Sequence, residues 1–496
     1  MTAATTLVPP LVAPILVAVV AAVRGWSRSV AWATVGSALV IFLAGVAAGI
    51  GATRGNDPAV GQLLRADSLS AVMMLVIGAV ALVATWASRY SVAAELEADE
   101  TDLAGARRYA TLVPLFLSAM VLAVLAANLG VLWAAIAATT VVTAFLVGHR
   151  RTTTSLEATW KYVVICSVGI AIAYLGTVLA YFAGTSAGLS GTAALDWVSL
   201  SAHAASLDPG VMRLAFALLV VGFGTKAGLV PLHSWLPDAH SQAPAPVSAL
   251  MSGVLLSVGV YAVLRYRTIV EPVLSPTFVR TVLLSIALTS LALAAWLLVS
   301  QRDYKRMLAY SSIEHMALCT VGVAVGTRLA VAAVLLHVVG HGLAKAVLFC
   351  TSGRILAATG TSRIAGVRGL LSSHRALAAV FAVGLVALLG LPPFSLFASE
   401  VALVRATVEA GLGWVAAAVL VLVVLAFVAI LVKVTPMLLG GRDDSTPAVA
   451  TGDVPASVGR TDVPMLAALG ALVVLGLVSW PLGTLLDSAA QVVIAR

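Results

Sequence analysis

Long apolar runs alternate with short polar breaks along almost the whole chain. Runs close to the ~20 residues that a helix needs to cross a bilayer fall at 6–23, 30–50, 68–88, 108–126, 129–148, 158–183, 209–231, 246–265, 277–300, 307–326, 329–352, 412–436 and 463–486, and one interrupted run covers 374–410. Strand-like alternation in ten-residue units is absent, which argues against an outer-membrane barrel. The pattern predicts an all-α polytopic membrane protein of about 14 transmembrane helices, at roughly 35 residues per span and connection. The run Thr6–Val23 follows no basic residue and shows no cleavage site, so it reads as a first span and not as a signal peptide.

Composition agrees. Of 496 residues, 61% are hydrophobic and only 10% charged, against about 25% charged in soluble domains. The three cysteines, Cys166, Cys319 and Cys350, lie in apolar runs without metal or redox spacing. That disfavours a disulfide framework, a cysteine zinc site or an iron–sulfur cluster. No glycine-rich phosphate loop sits in a strand–helix context, so no cofactor-binding or metal residues are assigned. The net charge of +8 reflects arginine on inner loops and implies no nucleic-acid partner.

Loop charge sets the orientation. Arg24 and Arg28, Arg107 and Arg108, Arg150 and Arg151, Arg302, Lys305 and Arg306, and Arg354, Arg363, Arg368 and Arg375 fall on odd-numbered loops. Even-numbered loops carry fewer, such as Arg54, Arg65, Arg267 and Arg280, and residues 184–208 have neither Lys nor Arg. Basic loops face the cytoplasm, so both termini are expected on the outer face of the inner (plasma) membrane. The polar stretches Glu95–Ala106 and Gly441–Asp462 read as solvated loops, the second cytoplasmic.

Proline interrupts two spans, at Lys226-Ala-Gly-Leu-Val-Pro231 and at Gly390-Leu-Pro-Pro393-Phe394. Each break removes helical hydrogen bonds, which a bilayer tolerates only where protein or a hydrated cavity satisfies the freed groups. Each lies near an ionisable residue, Lys226 and Glu400, five spans apart. Paired breaks of this kind mark a duplicated transporter core.

Buried charge is the other signal. The chain has five lysines, and Lys161, Lys226, Lys345 and Lys433 sit within or beside apolar stretches. Lysine at the bilayer centre costs about 2.5–3.5 kcal/mol on insertion scales. Desolvation favours the neutral form of an amine, so lysine can pass a proton on where arginine stays charged. The alternative is snorkelling to the interface or a fixed ion pair. His337, His341 and Lys345 stand four residues apart and form one helical stripe. Histidine titrates near neutral pH, so the stripe suits a proton relay, with interhelical hydrogen bonding as the plainer alternative. Glu157 and Lys161 have ion-pair spacing, and Thr154-x-x-Glu157 fits a capping box. Glu314 and His315 either join the polar axis or face the inner surface. Between Pro231 and Pro244, Asp238 reads as a cap, while His233 and His240 could line the cytoplasmic mouth of a proton path.

The stretch Lys226-Ala-Gly-Leu-Val-Pro-Leu-His-Ser-Trp-Leu-Pro-Asp-Ala-His-Ser-Gln-Ala-Pro244 strongly resembles the signature of antiporter-like subunits of respiratory complex I and Mrp-type cation/proton antiporters. Tyr310-Ser-Ser-Ile-Glu-His-Met316, His337-x-x-x-His341-x-x-x-Lys345 and Leu391-Pro-Pro-Phe-Ser-Leu-Phe-Ala-Ser-Glu400 support it. Trp160-Lys-Tyr-Val-Val-Ile-Cys-Ser-Val-Gly-Ile170 is most similar to component F of hydrogenase-4-type complexes. The resemblance spans about residues 60–440. It implies two inverted five-helix repeats, each with a proline-broken helix, which divides the chain into 1–107 (three N-terminal helices), 108–266, 277–440, the loop 441–462 and the final helix in 463–496. It also implies a midplane charge axis of Lys226, His337, His341, Lys345 and Glu400. Accessory positions are Lys161, Glu157, His233, His240, Glu314, His315 and Ser257.

Two departures stand out. Ala137, in Trp133-Ala-Ala-Ile-Ala137, occupies the place of a buried glutamate that relatives pair with the broken-helix lysine, and Ser257 stands where many relatives have Lys or His. The expected function is proton translocation within a hydrogenase-4-like or NADH-quinone-oxidoreductase-like complex. Iron–sulfur clusters, nickel–iron site, flavin or quinone would lie in partner subunits, both membrane and peripheral. Alternatives are an Mrp-type antiporter subunit with sodium as a second ion, the membrane subunit of a proton-driven inorganic-carbon uptake complex, or a scaffold that has lost pumping.

Overall fold

The structure is a computed structural model that describes residues 3–441, 462–478 and 480–494. It is helical apart from a two-stranded ribbon, Ala59–Val60 with Leu64–Arg65. Twelve helices among the described residues are long and apolar enough to cross a membrane, or thirteen when the bent C-terminal pair counts as one span. The expected span at 374–410 is two shorter helices, Arg375–Leu388 and Ser395–Glu409.

Helices begin where a polar side chain meets the first free amides, the usual role of an N-cap. Asp67, Asp102, Asp208, Asp303 and Thr327 each accept a backbone N–H at the start of the helix they precede. The helix Thr153–Ser186 is capped by Thr152, whose hydroxyl accepts the Ser155 amide. Thr154 instead donates to the Gln242 side chain, so the expected capping box does not form. Asp238 is likewise no cap: it lies inside the helix Trp235–Gln242 and pairs with Lys161 and Arg306.

Other boundaries also differ from the hydropathy reading. The helix Ser68–Glu97 runs past residue 88, and Glu95, expected on a solvated loop, is buried beside His149 at 3.4 Å and Arg150 at 3.8 Å. The run 209–231 ends as a helix at Lys226 and resumes at Trp235. The expected last span is two helices, Val463–Leu477 and Trp480–Ile494, and Val463–Leu477 makes a 75° angle with Leu482–Ile494. The expected loop 441–462 lies almost wholly outside the described residues.

The layering is that of a membrane protein. Ala245–Val270 and Tyr304–Val325 are enclosed on all sides, while Gly413–Leu439, the most apolar helix, is mostly exposed. Lipid solvates apolar side chains as well as the protein interior does, so polar residues collect at the centre. Among the described residues, Arg265 and Asp67 form a fully enclosed ion pair. Arg265 donates to both Asp67 carboxylate oxygens at 2.5 and 2.6 Å, to the Ser70 hydroxyl at 3.0 Å and to the Tyr261 hydroxyl at 2.9 Å. All four residues are buried.

Candidate functional site

Lys226 ends its half-helix fully buried. Its Nζ donates to the Tyr162 hydroxyl at 3.1 Å. Tyr162 is bonded in turn to the Thr143 hydroxyl, which donates to the Thr139 carbonyl at 2.6 Å. The two helices come close because Gly169 faces Thr225 and Gly222 faces Ala173, with no room for a side chain at either glycine. Ala137 lies on the same helix as Thr143, partly exposed. The partner of the broken-helix lysine in this chain is therefore a phenol. Tyr162 adjoins Lys161, the residue that attracted notice in the sequence.

The second cluster follows the helix Arg328–Thr359. His337, His341 and Lys345 are all fully buried on it. Lys345 donates to the Leu308 carbonyl and the Ser311 hydroxyl, both at 2.6 Å. His315 Nδ1 lies 2.9 Å from His337 Nε2, and His337 Nδ1 lies 3.0 Å from the Ser399 Oγ. The Ser399 hydroxyl donates to the Leu396 carbonyl at 2.8 Å. With that hydroxyl proton engaged, Ser399 accepts from His337 Nδ1–H. His315 also meets the Leu388 carbonyl, so its protonation sets which ring donates across the His315–His337 contact. The His341 ring lies 5.2 Å from that of His315, and neither of its nitrogens has a protein partner. His240 is fully buried, stacks on Phe349 at 5.0 Å and also has two unpartnered nitrogens. It lies within electrostatic reach of Lys345, as does Glu314.

Glu400 terminates the line. Its carboxylate lies directly over Gly390, where a Cβ would fall 2.2 Å from Oε2. Gly390 has φ +62° and Gly228 φ +75°, and each precedes a cis-proline by three residues, Pro393 and Pro231. The left-handed backbone suits glycine at both breaks. Ten residues after each glycine stands an acid, Asp238 and Glu400. A small cleft beside the second break is lined by Glu314, His315, Glu400, Leu388 and Leu389, among others. Glu400 is partly exposed there, beside Val423, Phe427 and Ile430 of the helix Gly413–Leu439.

The two clusters share no direct bond. The helix Ala245–Val270 joins them. Gly259 packs against Ala227, where a Cβ would lie 2.7 Å from the amide nitrogen, and Gly253 packs against the Gly342 carbonyl, where a Cβ would lie 2.9 Å away. Six helical residues separate those crossings, about 9 Å. Ser257 lies between them, buried and with its hydroxyl unpartnered.

Three accessory candidates lie off the line. Lys161 is half exposed and pairs with Glu157 at 2.6 Å and Asp238 at 3.2 Å, so both Lys161 and Glu157 belong to a surface ion-pair cluster. His233 is only partly buried in the break. Lys433, which is not among those accessory positions, is partly exposed and donates to the Val299 carbonyl. Lys305 goes the other way. Read as a loop charge, it is buried in the first turn of Tyr304–Val325 and donates to the Ser241 and Ala243 carbonyls at 2.9 and 3.0 Å. Its one signal in the sequence is that this chain otherwise uses arginine at its basic loops. Tyr162, Ser311 and Ser399 carry no such signal.

Comparison with known proteins gives the family and the fold. The family described as NADH:quinone oxidoreductase/Mrp antiporter, TM, matches residues 126–426. A hydrogenase-4 component F homolog of Methylacidiphilum infernorum is 37% identical over 393 residues, covering 79% of this chain and 82% of its own. A Na(+)/H(+) antiporter subunit of Alkalihalophilus pseudofirmus is 32% identical, over 51% of this chain and 49% of its own. Two solved structures share the fold at 23% identity. A chain of the archaeal membrane-bound sulfane sulfur reductase has a TM-score of 0.84, covering 99% of this chain and 97% of its own. A chain of the Mrp complex from Dietzia sp. DQ12-45-1b has a TM-score of 0.82 with the same coverage. The chain belongs to the NADH:quinone oxidoreductase/Mrp antiporter family of transmembrane proteins.

Proposed function

We propose that this chain translocates protons as a membrane subunit of a hydrogenase-4-like or NADH-quinone-oxidoreductase-like complex. One observation carries the reading: the buried row Lys345, His341, His315, His337, Ser399, directly bonded only from His315 to Ser399 and ending beside the partly exposed Glu400. An imidazole passes a proton by accepting at one nitrogen and releasing at the other. Buried polar atoms without protein partners, at His240, His341, Ser257 and Ser395, are the places where bridging water completes the file. Lys226 and Tyr162 form the first station, and Ser257 sits on the connection.

Moving one charge against 100 mV requires about 2.3 kcal/mol, so the file must be driven. Redox energy released in membrane and peripheral partner subunits supplies that drive, and iron–sulfur, nickel–iron, flavin or quinone groups belong to those partners. The greater identity and coverage of the component F homolog favour this assembly over an Mrp-type antiporter with sodium as co-ion. The breaks at Lys226–Pro231 and Pro392–Pro393 then belong to two inverted five-helix repeats, in an inner membrane with both termini outside. The test is Lys226→Ala in the native complex reconstituted into vesicles. Expected is loss of ion translocation with normal membrane insertion and assembly. Normal pumping by that variant would falsify the role of Lys226.

A further inference from the structure

Two ring nitrogens aimed at one another beside a carboxylate are also the donor set of a metal site. His315 Nδ1, His337 Nε2 and a Glu400 carboxylate oxygen all lie within 4.8 Å of one another. Zn–N bonds of about 2.0–2.1 Å in a tetrahedral site place two nitrogens about 3.3 Å apart. The present 2.9 Å separation needs to open by only a few tenths of an ångström. We propose that these three side chains form a site for a divalent transition metal of the zinc class.

The surroundings fit that chemistry. Metal-bound histidine usually donates its other ring N–H to an oxygen, which fixes tautomer and orientation. His337 already does so: Nδ1 faces the Ser399 Oγ, leaving Nε2 for the ion. His315 needs one change, loss of the Nδ1 proton now shared with His337, either to solvent or to its own Nε2. Water completes the tetrahedron, as in zinc sites with three protein ligands. Imidazole with carboxylate selects zinc, cobalt or nickel over magnesium or calcium, which prefer all-oxygen shells. An ion here replaces the His315–His337 hydrogen bond and, on the proton-transfer reading above, blocks transfer between those two rings. The site is an inhibitory one, and its occupancy is measurable without any pumping.

The full-length chain in detergent is titrated with Co²⁺ and then Zn²⁺. Expected is one equivalent of cobalt with the intense visible bands of tetrahedral coordination, displaced by zinc. His315→Gln and His337→Gln should each weaken zinc binding about 100-fold or more, and Ser399→Ala, a positioning change, roughly 10- to 100-fold. His203→Gln, at an exposed histidine outside the file, should leave affinity unchanged. A pale octahedral cobalt spectrum, unchanged affinity in the correctly folded His337→Gln protein, or loss of binding in His203→Gln overturns the site. Those outcomes leave the proton-transfer reading standing, and a pump disabled by Lys226→Ala with zinc binding intact separates the two in the other direction.

Discussion

The contact between Gly390 and Glu400 sets the position of the terminal carboxylate, and Gly390→Ala tests it. Two costs follow from the structure. An L-residue in the left-handed region, here φ +62°, costs roughly 1–2 kcal/mol. The new methyl carbon would lie 2.2 Å from Glu400 Oε2, 2.8 Å from Cδ and 3.0 Å from Oε1, all atoms of one movable carboxylate. Restoring ordinary contact at 3.4 Å requires Oε2 to retreat by 3.4 − 2.2 = 1.2 Å. The backbone can therefore persist while the carboxylate leaves its place. Gly411→Ala is the matched control: φ is +76°, nothing lies within 4 Å, and it follows the far end of the same helix. Both variants should lose about 1–2 kcal/mol of stability, read by thermal unfolding in detergent. Only Gly390→Ala should slow proton pumping in inverted vesicles, by an order of magnitude or more, since a ~1 Å misplacement of a reacting group can cost about 10²-fold. Equal pumping by the two variants would refute the idea that this contact places the carboxylate.

Three further outcomes follow from other parts of the molecule. Asp67→Asn or Arg265→Ala leaves one half of a buried ion pair uncompensated and should destabilise the chain by about 3–5 kcal/mol, visible as lost detergent-extracted protein or a lower unfolding temperature. An unchanged unfolding temperature would contradict the bonding around Arg265. Tyr162→Phe removes the hydrogen bond from Lys226 Nζ, worth about 0.5–1.5 kcal/mol, and should slow translocation at least roughly tenfold while assembly is unaffected; full activity would show that the phenol does not serve Lys226. Ala137→Glu should alter proton coupling in the assembled complex, and unchanged pumping would mean that the missing carboxylate has no part in the first half of the path.

Hydropathy alone determined that the chain is a bundle of membrane helices, because a backbone in lipid must satisfy its own hydrogen bonds and so each ~20-residue apolar run has one available form. Spacing determined that His337, His341 and Lys345 share a face, because the helical repeat brings every fourth residue into line. Proline located both breaks. Only the packed structure decided which charges are enclosed. Lys161 and Lys305 are both basic residues at the edge of an apolar run, yet one pairs at the surface and the other is sealed among backbone carbonyls. Partners for Lys226 and His337 come from Tyr162 and Ser399, 64 and 62 residues away. Neither differs along the chain from any other tyrosine or serine in an apolar helix. Their role arises where glycines allow helices to touch, at Gly169 against Thr225 and at Gly340 against Ser395, and such contacts are a property of three-dimensional packing, not of local pattern.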